Sequence, residues 1–104
     1  MLIVNPATEE VLREIQDDGP TEVARKARLA RAAQPAWART PLPDRLAVVR
    51  RFGDLMKSRS ELLAAILTAE MGKPIAQSRN EIAAMQDRIA FFLWHTEALS
   101  LIHI

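Results

Sequence analysis

Side chains able to do chemistry are few in this sequence. It contains no cysteine, so no thiolate nucleophile, disulfide or thiolate metal ligand can form within its 104 residues. His95 and His103 are its only histidines. His95 has Glu97 close by, but a metal site needs three or four converging ligands, and no such set is spaced here. His95 therefore reads as a surface or interface histidine. Glu70, Glu81 and Glu97 are candidates for general acid–base work only in the sense that any carboxylate is, and helix solvation or capping suits them better. Gly72-Lys73 suggests a phosphate loop at first sight. A P-loop needs several glycines and ends in Gly-Lys-Ser/Thr after a strand, so that backbone N–H groups wrap the phosphate. Here one glycine is followed by Lys73-Pro74 after a helical pattern, which reads as a helix stop. With three glycines in the whole chain, no dinucleotide fingerprint is present. Arg25, Arg28 and Arg31 could be taken for a nucleic-acid patch, but Glu22 lies beside them and the charges nearly cancel.

That balance is 14 basic against 13 acidic residues, a net charge of +1. It gives no general electrostatic reason for a nucleic acid or anionic membrane as partner. Hydrophobic residues make up 49%, enough for a core and too many for a disordered chain. The length allows one domain at most, and a domain this small buries only roughly 60–70% of its unfolded surface. The apolar Met1–Val4 is stopped at once by Asn5-Pro6 and does not read as a signal peptide. The apolar run Ile89–Trp94 is far too short to span a bilayer. The expected compartment is the cytoplasm.

The elements that would position these residues read as a mostly α segment: a short hairpin and four helices. Leu2–Val4 and Val11–Ile15 are the predicted strands, joined through Asn5–Glu10, where Asn tolerates unusual dihedrals and Pro fixes φ. A lone hairpin is marginal in water and needs something to pack on. Gly19 is the expected N-cap and Pro20 the first position of the first helix, with Glu22 in its first turn. Val23, Ala27, Ala30 and Ala33 form its apolar stripe. Pro35 is expected to stop it, leaving Trp37 to anchor a loop. Thr40 is the expected N-cap of the second helix, whose buried face carries Leu42, Leu46, Val49, Gly53 and Met56. Gly53 within that face marks a close helix contact and lowers helix stability by roughly 1 kcal/mol.

The third and fourth helices, over Glu61–Leu99, are the part the rest is organised around. Ser58-Arg59-Ser60-Glu61 fits a capping box. The third helix is expected to bury Leu62, Leu63, Ile66, Leu67 and Met71. Gly72 stands where a C′ residue needs positive φ, and Pro74 can open the fourth helix. That helix is expected from Pro74 to about Leu99. Ile75, Ser78, Ile82, Met85, Ile89 and Phe92 share one stripe, with Leu93 beside them. At about 25 residues it is twice the usual helix length, and the three shorter helices cannot cover it. The tail Ser100–Ile104 carries no closing turn, so the chain reads as ending inside a domain.

Taken together, Asn5-Pro6-Ala7-Thr8, Pro35-Ala36-Trp37, the arginine-rich second helix and Glu70-Met71-Gly72-Lys73-Pro74 resemble the N-terminal region of the aldehyde dehydrogenase superfamily. The resemblance runs in order over about Val4–Leu99. It implies that residues 1–104 are a partial, cofactor-domain-associated piece of an α/β fold, with no second domain. It implies an enzyme that oxidises aldehydes to acids with NAD or NADP, and a homo-oligomer when full length. In the family a cysteine thiolate attacks the aldehyde, N–H groups hold the oxyanion, hydride passes to nicotinamide, and a glutamate activates the hydrolytic water. None of those parts falls on this sequence. No catalytic, cofactor-binding or metal residue is therefore assigned, and the chain alone is expected to be inactive and to bind no cofactor. In some members the long helix also lines the substrate tunnel, which would draw in the flank around Asn80, Ala84 and Phe91. Glu9 departs from the family's Asn-Pro-Ala-Thr-Gly-Glu. If the turn needs positive φ there, Glu9 adds strain of order 1 kcal/mol. The alternative reading is a self-contained helical interaction module without catalytic activity.

Overall fold

The computed structural model describes residues 1–101. Two strands, β1 (Leu2–Val4) and β2 (Val11–Glu14), form an antiparallel hairpin. Its register shifts between Ile3 and Val4. The connecting turn is tied by Asn5, whose Oδ1 accepts the N–H groups of Ala7 at 2.9 Å and Thr8 at 3.3 Å, while its carbonyl accepts the N–H of Glu9 at 2.8 Å. Glu9 itself sits at φ 63°, the left-handed conformation expected where the family has glycine.

Four helices follow: α1 (Pro20–Arg39), α2 (Leu42–Ser58), α3 (Ser60–Met71) and α4 (Ile75–Leu101). Gly19 caps α1 and Pro20 opens it, as the sequence predicts. Pro35 does not end α1, and Trp37 lies inside the helix rather than in a loop. Proline removes one hydrogen bond, but Ala30, Ala32, Ala33, Ala36 and Ala38 flank it with the strongest helix former on both sides. Thr40 is the C-cap of α1, its N–H bonded to the Trp37 carbonyl, and Pro41 takes the N-cap of α2. The Ser58–Glu61 capping box does not form. Only Arg59 separates α2 from α3, so Ser58 stays helical and its hydroxyl donates back to the Leu55 carbonyl at 2.9 Å. Pro74 precedes α4 instead of opening it, and its carbonyl accepts from Gln77 and Ser78. At its far end α4 runs past Leu99 to Leu101, while the rest of the expected tail lies outside the described residues.

The core is thin and lies where α4 meets α2 and α3. Met56, Ala64, Ser78 and Ile82 are its buried residues. Ala64 and Ser78 are small, which lets α3 and α4 approach closely, and the Ser78 hydroxyl is satisfied by Thr68 at 2.8 Å. At Gly53 an added Cβ would stand 3.3 Å from the Ile89 side chain, so the predicted close contact of α2 with α4 is present. Of the side chains expected to be buried in α3, Leu62, Ile66 and Met71 are exposed, Leu62 to 58%. On α4, Met85 and Phe92 are likewise exposed. Within α3 the run Leu62–Leu67 is apolar on every side, so one neighbour can cover only part of it. The radius of gyration is 18.0 Å, against about 13 Å for a compact domain of this length.

Candidate functional site

Gly72 is the point where two distant motifs meet. It lies at φ 69°, caps α3 and donates its N–H to the Thr68 carbonyl at 2.9 Å. A Cβ there would come within 2.8 Å of the Pro6 ring and 3.2 Å of the Ala7 nitrogen. The glycine is thus required twice, by its dihedral and by its neighbour. The same packing answers the phosphate question. The space beside Gly72 is filled by the hairpin turn, and its N–H is already used. Lys73 pairs with Glu81 across the corner. These residues do not form a cradle for the phosphates of NAD or NADP, and no step of a hydride transfer is derived through them.

The other reactive side chains are equally committed. His95 Nδ1 lies 2.8 Å from the Phe91 carbonyl oxygen, and its ring rests on Phe91 with centroids 4.1 Å apart. Among the described residues no group of three or more His, Asp or Glu side chains is placed to hold a metal. Glu22 forms a two-pronged ion pair with Arg25, and Glu61 does the same with Arg79 across α3 and α4. The hydrogen bonds from the guanidinium groups hold both carboxyls below their ordinary range. The arginine series of α1 is therefore partly neutralised within its own helix. Among the described residues no helix is long and apolar enough to cross a membrane.

Apolar surface lies open on both flanks of α4. One flank carries a cavity of about 580 Å³ between α3 and α4, walled by Leu63, Ile66, Leu67, Ile82 and Met85, with Glu70, Glu81 and Arg88 also lining it. Of the three positions drawn into the tunnel reading, Ala84 lines this cavity, whereas Asn80 and Phe91 do not. The other flank carries a cavity of about 260 Å³ among α1, α2 and α4. Phe92 in its wall is 62% exposed and Trp94 83%.

Arg45 lines this second cavity, and its Nε is buried without a hydrogen-bond partner. An unsatisfied buried donor costs about 1–3 kcal/mol, more when charged. Arg45 does not stand out in the sequence, because one arginine in a helix rich in them carries no spacing signal. Ala64 is equally silent, whereas Ser78 stands on the predicted stripe of the fourth helix and is buried there.

Comparison with known proteins places the chain among its relatives. The pattern of the aldehyde dehydrogenase family matches residues 1–102. An N-succinylglutamate 5-semialdehyde dehydrogenase from Escherichia coli O9:H4 (strain HS) is 43% identical over 86 residues, which cover 83% of this chain and 18% of the relative. A 5-carboxymethyl-2-hydroxymuconate semialdehyde dehydrogenase from Escherichia coli is 39% identical over 79 residues, covering 76% of this chain and 17% of that one. In three dimensions the chain resembles the glyceraldehyde-3-phosphate dehydrogenase GapN of Methanocaldococcus jannaschii DSM 2661, solved with NADP. The TM-score is 0.89 at 24% identity, over 93% of this chain and 21% of that one. This likeness is one of fold. The chain spans about a fifth of the length of the relatives it matches.

Proposed function

The chain belongs to the aldehyde dehydrogenase family, and we propose that residues 1–104 are the N-terminal scaffolding segment of an NAD(P)-dependent enzyme oxidising aldehydes to carboxylic acids. The carrying observation is the distribution of apolar surface: Leu62, Ile66 and Met71 of α3 and Phe91, Phe92 and Trp94 of α4 stand open to solvent. Monomers rarely leave such contiguous surface uncovered. In this reading the open flanks of α4 lie against the remainder of the enzyme. That remainder supplies the thiolate, the oxyanion donors and the nicotinamide site, since this chain has no cysteine and no phosphate cradle. The segment alone is inactive.

Both Escherichia coli relatives are named for semialdehydes, which supports an aldehyde that also bears a carboxylate as the substrate class. The near-neutral charge of the segment supports a small-molecule enzyme without nucleic acid or membrane as partner. A thiolate nucleophile favours the reducing cytoplasm, and copies of the full-length chain assemble as a homo-oligomer.

A full-length chimera tests this reading. The matching segment of the Escherichia coli N-succinylglutamate 5-semialdehyde dehydrogenase is replaced by this chain, and NAD(P)H formation from the semialdehyde is followed. The chimera is expected to turn over and the isolated chain to show no activity. A soluble chimera without turnover overturns the scaffolding role.

A further inference from the structure

We propose that Arg45 anchors a carboxylate side chain carried by the part of the full-length enzyme outside these 104 residues, seated in the cavity among α1, α2 and α4. This rests on the scaffolding role given above. The cavity, about 260 Å³, is the size of one or two side chains, and its walls are Trp37, Leu42, Leu46, Val49, Phe92 and Leu93. Trp37, Val49 and Phe92 remain exposed. A segment covering them would strip water from the guanidinium as well. The Nε of Arg45 is already out of solvent and has no acceptor.

The charge pattern selects the partner's chemistry. Among the described residues the paired arginines are Arg25 and Arg79, and the Arg45 Nε–H finds no acceptor there. Glu97 lines the adjoining cavities with Arg50. A backbone carbonyl could satisfy one N–H, but it would leave a buried cation unbalanced. A carboxylate meets both demands, because it accepts two parallel hydrogen bonds from a guanidinium and cancels its charge. The apolar walls would then exclude water around the pair.

The active chimera described above is the vehicle, so failure of the parent chimera counts against the scaffolding role and failure of the variants against this inference alone. Arg45→Gln keeps a neutral donor. It is expected to lower the thermal midpoint by several degrees and to loosen the segment, read as at least a tenfold faster amide exchange in α2. Arg45→Lys is expected to recover part of both. Arg50→Gln, which removes the same charge five positions on, and Glu97→Gln are expected to leave both readouts unchanged. If Arg45→Gln behaves as the parent does, a neutral donor suffices and the carboxylate is excluded. If Glu97→Gln reproduces its loss, Arg45 pairs within its own segment and the inference falls.

Discussion

Helices α1 and α2 carry comparable amphipathic patterns and have opposite fates, because α2 packs in one cluster with α3 and α4. The cluster holds every buried residue among those described: Met56, Ala64, Ser78 and Ile82. Helix α1 is longer than α2 or α3 and buries none of its residues. Its stripe residue Val23 and its Leu29 are both exposed, and its firmest contacts are ion pairs along its own length and to Asp18. Pattern thus says which face a helix will bury, but not what covers it. In the cluster the answer lies within the segment. For α1 the described residues leave every side chain at least partly exposed.

The largest effect that would sharpen this contrast is in the cluster. Ile82→Ala removes a side chain only 6% exposed and is expected to cost about 3 kcal/mol, measured by denaturant unfolding of the chimera. Next comes Gly72→Ala. Its φ of 69° and the Pro6 ring at 2.8 Å from the new Cβ should together cost about 2 kcal/mol or more, with loss of hairpin amide protection. Glu9→Gly should act in the other direction, relieving a φ of 63° and adding up to about 1 kcal/mol. Leu29→Ser on α1 should change the isolated chain by less than about 0.5 kcal/mol but weaken the chimera measurably. Equal effects in both settings would break the contrast between the two regions.

The smallest expected effect is electrostatic. The carboxyls of Glu22 and Glu61 are held low by their arginine partners. A carboxyl lowered in the folded state adds stability above its unfolded value, and that contribution disappears as pH falls through the folded one. Acidification below the ordinary carboxylate range should therefore weaken both helix pairings. Both pairs are exposed, so salt should mask most of the change. Melting scans at falling pH, with Glu61→Gln removing part of the slope, check this.

The turns were more legible in the sequence than the helix ends. Gly72 could be placed because positive φ has a signature in residue type, Glu9 because the resemblance puts a glycine at its position, and Gly53 because a missing side chain on an apolar face implies a near neighbour. Pro35, Thr40 and Ser58 were misjudged because capping rules are local. The continuation of α1 through Pro35 reflects alanines on both sides, and the one-residue joint at Arg59 overrides a fitting Ser-x-x-Glu pattern. Leu62, Ile66 and Met71 were expected inside because apolar residues usually are, yet their cover is not within this segment. No catalytic residue was assigned from the sequence. Arg45, whose Nε is the one buried side-chain polar atom without a partner among the described residues, was invisible there because burial without a partner leaves no trace in spacing.

The seat of Pro6 against Gly72 makes the hairpin tip and the α3–α4 corner a clasp, with everything between them a loop that the clasp closes. Changes of length at the α1–α2 or hairpin–α1 joints should therefore be absorbed so long as the clasp still shuts. Residue 6 and residue 72 would have to vary as a pair, since neither can grow without the other giving way.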